Sequence, residues 1–204
     1  GANALGIKNI LCITGDSVKA GDQQDAKAVH EFESVRLLRQ IQAFNEGIDP
    51  TFGELSDKQT FIFSGAAADP NCRNQRSLKN RISKKKEAGA KFIQTQMVME
   101  KENLREFCEK ISNPLEIPVI AGVFLLKSYK NALFINKYVP GANIPNSILN
   151  RLKDAKDPLQ EGIQIASEQA QDYIKIANGI HLMAVKAEHL IPEILEKANL
   201  NLEY

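Results

Sequence analysis

Asn9-Ile-Leu-Cys-Ile-Thr14, running into Gly15-Asp16, is an apolar stretch of strand length that stops on polar residues. Runs of the same kind recur at residues 61–67, 92–96, 118–123 and 179–185, and amphipathic stretches separate the five. Strands that alternate with helices predict a parallel sheet, because parallel neighbours need a long crossover between them. Ligand chemistry in such folds collects at the carboxyl ends of the strands.

The intervening segments carry helical signals. Residues 34–45 carry apolar Val35, Leu37, Leu38, Ile41 and Phe44 at helical spacing before the stop at Gly47. Residues 77–88, closed by Gly89, and 102–111 read as the next two helices. Pro140-Gly141 breaks the chain after 132–138, Pro145 marks a helix start, and 159–177 and 191–198 complete the set. Residues 49–58, with Pro50 and Gly53, read as a loop.

Composition sets bounds on function. The 204 residues suit one domain with a substantial core. Lys plus Arg (26) nearly balances Asp plus Glu (25), so no global field draws the chain to nucleic acid or an anionic membrane, and a small-molecule partner is expected. Cys12, Cys72 and Cys108 are odd in number and widely spaced, which predicts reduced, buried thiols in a cytoplasmic protein. No apolar run approaches the roughly 20 residues of a membrane span, and no signal-peptide pattern opens the chain. Gly1-Ala-Asn-Ala-Leu-Gly6 reads as the tail of a helix with its glycine cap, so a preceding segment is expected.

Two architectures accommodate five βα units. An open dinucleotide-binding sheet usually shows Gly-x-Gly-x-x-Gly after its first strand, and none is present. An incomplete (β/α)8 barrel fits better. In that reading Ile10, Cys12, Thr14 and Asp16 face inward, as do Phe92, Gln94 and Gln96, while Leu11 with Ile13 and Ile93 with Met97 face the helices. Asp16 and Gln96 then look into one mouth.

The strings Asn9-Ile-Leu-Cys-Ile-Thr-Gly-Asp16, Ser64-Gly-Ala-Ala-Ala-Asp-Pro70, Lys84-Lys-Lys-Glu-Ala-Gly-Ala90, Phe92-Ile-Gln-Thr-Gln96 and Pro118-Val-Ile-Ala-Gly-Val123 resemble, in order and spacing, the methylenetetrahydrofolate reductase family. The resemblance extends to about Leu195 and covers what looks like the last five βα units of the family's flavin-binding barrel. It implies FAD (or FMN) as cofactor, NADH or NADPH as donor, and 5,10-methylenetetrahydrofolate as the acceptor reduced to 5-methyltetrahydrofolate. It also places the family's catalytic Glu before Gly1. A homo-oligomer, or completion by an N-terminal segment or second chain, is therefore expected, and the uncovered edges of an incomplete barrel predict association or instability. A flavin- or folate-binding subunit that acts only with a partner protein is the alternative.

The resemblance also assigns site residues. Asp16 corresponds to the family's Asp beside flavin and folate, where a carboxylate stabilises the cationic 5-iminium form of the folate; on residues alone Gly15-Asp16 reads as a turn with Asp capping backbone amides. Gln96 matches a folate-binding Gln, its amide offering both donor and acceptor to a pterin edge; a strand-end structural amide is the other reading. Arg81, Lys84 and Lys85 share a helix face at i, i+3 and i+4 and match a diphosphate-binding cluster, although such runs are more often solvated surface. Gly15, Ala67, Asp69 and Ala90 match flavin-lining positions. Tyr129 stands where the family places a stacking aromatic, or covers a helix start. The last strand lacks the family's Tyr, Asn and Arg, and Lys186 offers a substitute cation for a folate tail.

His30, His181 and His189 show no metal-ligand spacing, so no metal is expected. No Gly-x-Ser-x-Gly elbow supports acyl transfer. Gly122 and Gly179 do not form the glycine-rich phosphate site of a barrel acting on phosphorylated substrates.

Overall fold

The computed structural model describes residues 1–15, 25, 27, 32–55 and 59–200. Their elements are β1 (Asn9–Cys12), α1 (Ser34–Asn45), β2 (Ile48–Asp49), β3 (Gly53–Glu54), β4 (Phe63–Ala68), α2 (Gln75–Glu87), β5 (Phe92–Met97), α3 (Lys101–Phe107), β6 (Val119–Phe124), α4 (Tyr129–Tyr138), α5 (Asn146–Asp154), α6 (Pro158–Tyr173), β7 (Gly179–Met183) and α7 (Ile191–Lys197). Among the described residues β1, β4, β5, β6 and β7 form a five-stranded parallel sheet in that order, so the fold is α/β. β1 runs parallel to β4 from Asn9↔Phe63 to Cys12↔Ala66, and β6 to β7 from Ile120↔Gly179 to Phe124↔Met183. The order follows the chain without reversal, unlike a doubly wound sheet, whose order turns back at a switch point.

Residues 49–58 were expected as a loop, but β2 and β3 pair antiparallel within that stretch. Asp49 Oδ1 accepts from the backbone N–H of Thr51 (2.7 Å) and Phe52 (3.3 Å), and Gly53 takes φ +89°. The side chain and the glycine build the turn, and two-residue strands are too short to show alternation. Another difference follows α3. The helix expected to reach Ile111 loosens into a π turn at Cys108–Ser112, a local widening that apolar spacing does not report.

Contacts divide the chain into two compact units, Gly1–Ala67 with Lys79–Ile93, and Ala68–Leu78 with Gln94–Tyr204.

In the first unit the expected facing of β1 is reversed. Laterally paired residues of parallel strands share a face, and Cys12 sits beside Ala66 with both at 0% exposure. Thr14 Oγ1 accepts from the N–H of Ser34 at the start of α1 (3.1 Å). The even positions therefore turn toward α1, whose Leu38 and Ile41 are buried. Leu11 instead shares the face of Phe63 and Gly65. There the Phe92 ring stacks on Phe63 at 5.7 Å, and a Cβ on Gly65 would lie 2.2 Å from it. The reason is local: Glu33 gives α1 no side-chain cap, so Thr14 is more useful toward that helix than away from it. Phe61, Phe63 and Ile13 remain exposed on this unit.

The second unit is built around α6, which packs on β6, β7, α3, α5 and α7. Asp157 caps it through the N–H groups of Leu159 and Gln160, with Pro158 as its first residue. Ser167 Oγ donates within α6 to the carbonyl of Ile163 (2.8 Å) and lies 3.1 Å from that of Ile194 in α7. A core of Met97, Met99, Leu126, Ile135, Leu149 and Leu152 fills the space among β5, α4 and α5. Cys108 is buried, as expected of a filler thiol, and burial pushes its pKa up. Cys72, expected buried, is only half-buried.

Gly162 lets α6 meet the segment after β6. A Cβ there would fall 1.8 Å from the Leu126 carbonyl oxygen, and backbone cannot swing aside as a side chain can. Gly162→Ala gains about 1 kcal/mol of helix propensity, yet is expected to lose at least roughly 2 kcal/mol net. Urea unfolding measures it, and a variant as stable as the parent would show that this approach does not constrain the helix.

Candidate functional site

In the first unit, Gly15 is exposed beyond the end of β1, and Asp16 lies outside the described residues, as does His30. Ala67 is half-buried near the end of β4, and Ala90 is 4% exposed. Arg81, Lys84 and Lys85 all lie on α2, but they are not equivalent. Ile82 is buried on that helix, Arg81 and Lys84 are exposed, and Lys85 reaches under to donate its Nζ to the Ala67 carbonyl (2.6 Å). Burial, and then the Arg81 charge, hold the Lys85 ammonium below the usual lysine range, with Glu33 opposing. Three lysines in the last turn also complement the helix dipole. The basic run is thus explained in part by structure, while Arg81 and Lys84 present their charge outward.

In the second unit, Gln96 ends the polar alternation of β5. Ile93, Thr95 and Met97 are buried, whereas Gln94 and Gln96 are half-buried on the opposite face, as expected. Gln96 Oε1 accepts from the N–H of Met97 (3.2 Å), so its amide is folded back on the strand end. Thr95 fixes that end: its Oγ1 accepts from Gly122 N–H (2.9 Å) and donates to the Gln96 carbonyl (2.8 Å). A Cβ on Gly122 would lie 2.8 Å from the same carbonyl oxygen. Sequence reasoning missed Thr95; its signal was a hydroxyl between two glutamines near a strand end.

Asp69 and Asn71 shape the loop after β4. Asp69 Oδ1 accepts from Asn71 N–H (2.9 Å), and its Oδ2 would lie 2.6 Å from a Cβ on Gly141, which takes φ +79°. The Asn71 amide donates to the carbonyls of Met97 (3.3 Å) and Gly141 (3.2 Å), and its Oδ1 accepts from Asn103 Nδ2 (3.1 Å). One carboxamide therefore joins the β4–α2 loop, the end of β5, the Pro140-Gly141 break and α3. Its only trace in the sequence was its place after Asp-Pro.

Tyr129 is the first residue of α4, behind the Ser128 cap, and packs half-buried against the core rather than standing free. His181 pairs in register with Gly122, and its Nδ1 is buried without a partner among the described residues. After β7, Lys186 takes φ +57° while its N–H donates to Glu188 Oε1 (2.9 Å). Lys127 Nζ donates to the Val185 carbonyl (2.9 Å). Among the described residues no cluster of three His, Cys, Asp or Glu is placed to hold a metal, and no helix is long and apolar enough to cross a membrane.

The model of the methylenetetrahydrofolate reductase family matches residues 1–199. The chain belongs to the methylenetetrahydrofolate reductase family. Among curated members, methylenetetrahydrofolate reductase 2 of Schizosaccharomyces pombe is 30% identical, with 98% of this chain and 32% of that protein aligned. A probable NADPH methylenetetrahydrofolate reductase of Caenorhabditis elegans is 25% identical over 98% of this chain and 29% of its own length. This family member thus spans about a third of the length of the curated relatives it matches. Among solved structures, an uncharacterized Clostridium thermocellum protein that binds two copies of 5-methyl-5,6,7,8-tetrahydrofolic acid superposes with a TM-score of 0.53. It is 19% identical, covering 69% of this chain and 54% of that one, a likeness of fold.

Replacing Asn71 by Leu keeps the size but removes three side-chain hydrogen bonds, and it leaves the part-buried Met97 carbonyl and Asn103 amide without their partner, the Gly141 carbonyl being exposed to water. A loss of about 2–4 kcal/mol is expected in denaturant unfolding. A loss below roughly 0.5 kcal/mol would mean that water replaces the amide at no cost.

Proposed function

We propose that this chain forms part of a flavin-dependent reductase that converts 5,10-methylenetetrahydrofolate to 5-methyltetrahydrofolate with electrons from NADH or NADPH. Family membership across residues 1–199 carries the reading. The chemistry at the end of β5 supports it: Gln96 is half-buried with its Oε1 turned to the Met97 N–H, its backbone carbonyl is held by Thr95, and its Nε2 is left as a donor at the polar strand end where folds of this kind bind ligands.

Roles follow residue by residue. Gln96 hydrogen-bonds the pterin edge, and Tyr129 lies beside the folate or nicotinamide ring. Asp16 supplies the carboxylate that favours the cationic folate, an assignment resting on the family pattern. Gly15, Ala67, Asp69 and Ala90 border the flavin. The fit of FAD is supported by the donor set on α2, where Arg81 and Lys84 point their charge outward to suit a diphosphate. Lys85 acts from beneath, its ammonium holding the β4 carbonyl end in place. When bound, the flavin supplies hydride transfer; the residues above bind, orient and balance charge around it. The catalytic acid belongs to an N-terminal segment or second chain, or a homo-oligomer completes the site, and the exposed Phe61, Phe63 and Ile13 supply apolar surface for such an association. A single cytoplasmic domain is part of the same proposal.

A second reading is a folate- and flavin-binding module that needs a partner for turnover. It is favoured by the folate that the Clostridium thermocellum neighbour binds.

Anaerobic spectroscopy on the purified chain separates them. The reductase reading predicts a yellow protein, bleached by NADH or NADPH and recoloured by 5,10-methylenetetrahydrofolate. Gln96→Leu should weaken folate affinity by roughly tenfold while leaving bleaching unchanged. Folate and flavin binding without bleaching would favour the module, and failure to bind either would defeat both.

A further inference from the structure

We propose that the β2–β3 hairpin of one copy of this chain docks on the outer face of α4 of a second copy, so that the protein associates head to tail. The contact uses neither the strand-end residues assigned above nor the surface of Phe61, Phe63 and Ile13, and it does not depend on the reductase reading.

The receiving face follows from helical spacing. Ala132 and Ile135 are the buried residues of α4. Lys130, Leu133, Phe134, Lys137 and Tyr138, at i, i+3, i+4, i+7 and i+8, form one exposed stripe. A surface helix ordinarily carries polar residues there, yet Phe134 and Tyr138 remain 58% and 59% exposed. Their ring centroids lie 4.7 Å apart, and the Lys137 ammonium sits 5.0 Å from the centre of the Tyr138 ring. The helix thus presents an assembled apolar plate flanked by cations.

The hairpin is the matching knob. Phe52 is 87% exposed, and Ile48 in β2 is exposed as well. The turn that holds the ring out is built rather than incidental. Asp49 Oδ1 accepts the Phe52 N–H, Gly53 takes φ +89°, and the Leu55 N–H closes the base on the Gly47 carbonyl (2.9 Å). A phenyl ring fixed in water gains when a partner buries it, and its fixed turn lowers the entropy lost on docking.

Charge selects the occupant. Residues 46–54 carry Glu46, Asp49 and Glu54 and no base, whereas residues 129–138 carry Lys130 and Lys137 and no acid. None of these five forms an ion pair with a described residue. Knob on knob and plate on plate therefore repel, while knob on plate attracts, and one chain carries both halves. Copies either exchange the contact reciprocally in a two-fold dimer or extend it into a ring or chain. One Phe-tipped hairpin on a ten-residue helix is smaller than a stable interface of roughly 1,200 Å², so the association is weak and salt-sensitive.

Sedimentation equilibrium of the whole chain over about 1 µM to 1 mM is the test. Reversible association that weakens with added NaCl is expected. Phe52→Ala and Phe134→Ser, both at exposed positions and without change of charge, should each raise the dissociation constant roughly tenfold. E46K/E54K and K130E/K137E should each do the same, and the quadruple variant should return to within about threefold of the parent. A chain monomeric throughout would overturn the proposal and leave α4 to a different partner. Association unmoved by Phe52→Ala would also overturn it and place the contact on the Phe61 and Phe63 surface, and a quadruple variant that stays monomeric would show that these charges do not face one another.

Discussion

A parallel strand leaves backbone carbonyls beyond its last ladder bond, and a chain that buries those ends must satisfy them with side chains. Here the satisfying groups come largely from the crossovers. Lys85 of α2 serves the Ala67 carbonyl of β4. Asn71 serves Met97, Tyr173 serves Val98 and Gln169 serves Met99, so three successive carbonyls at the end of β5 are each held by a side chain distant in sequence. Lys127 does the same for Val185 after β7. Each bond is worth about 1 kcal/mol net, but each is dear to lose because the bare carbonyl stays behind. This constraint makes the strand ends rigid, and rigid strand ends are what a binding site requires.

The same requirement explains why the strand-end polar residues resist simple assignment. An amide or ammonium near a strand end is claimed first by the backbone, and only what remains is available to a ligand. Lys85 is claimed at its donor, whereas Gln96 is claimed only at its oxygen. Small residues follow the same logic. Gly122 and Gly141 exist so that Gln96, Thr95 and Asp69 can come close to neighbouring backbone, with a contact distance below 3 Å for any added Cβ.

Much of this was legible in the sequence. The five strand positions, the parallel α/β class and the helix start at Pro145 followed from alternation and turn chemistry, because these are local signals. The family was legible from strings such as Lys84-Lys-Lys-Glu-Ala-Gly-Ala90 and is confirmed by the match over residues 1–199. The facing of β1 was not. Cys12 and Leu11 are both apolar, so residue type does not say which of them turns to the helix, and the deciding contact, Thr14 with Ser34, spans twenty residues. Thr95, Asn71 and Gln169 were invisible for a related reason: each earns its place through a backbone group on another element, and residue type alone does not name that partner. Asp16, on which the site reading leaned most, lies outside the described residues.

The central claim is that the polar end of β5 is the folate-recognition end of this family member. A crystal structure of the chain with 5-methyltetrahydrofolate tests it most directly. The account predicts the pterin edge within about 3 Å of the Gln96 amide, with that side chain swung from the Met97 N–H toward the ligand. A pterin bound elsewhere, with Gln96 still folded on Met97, would contradict it.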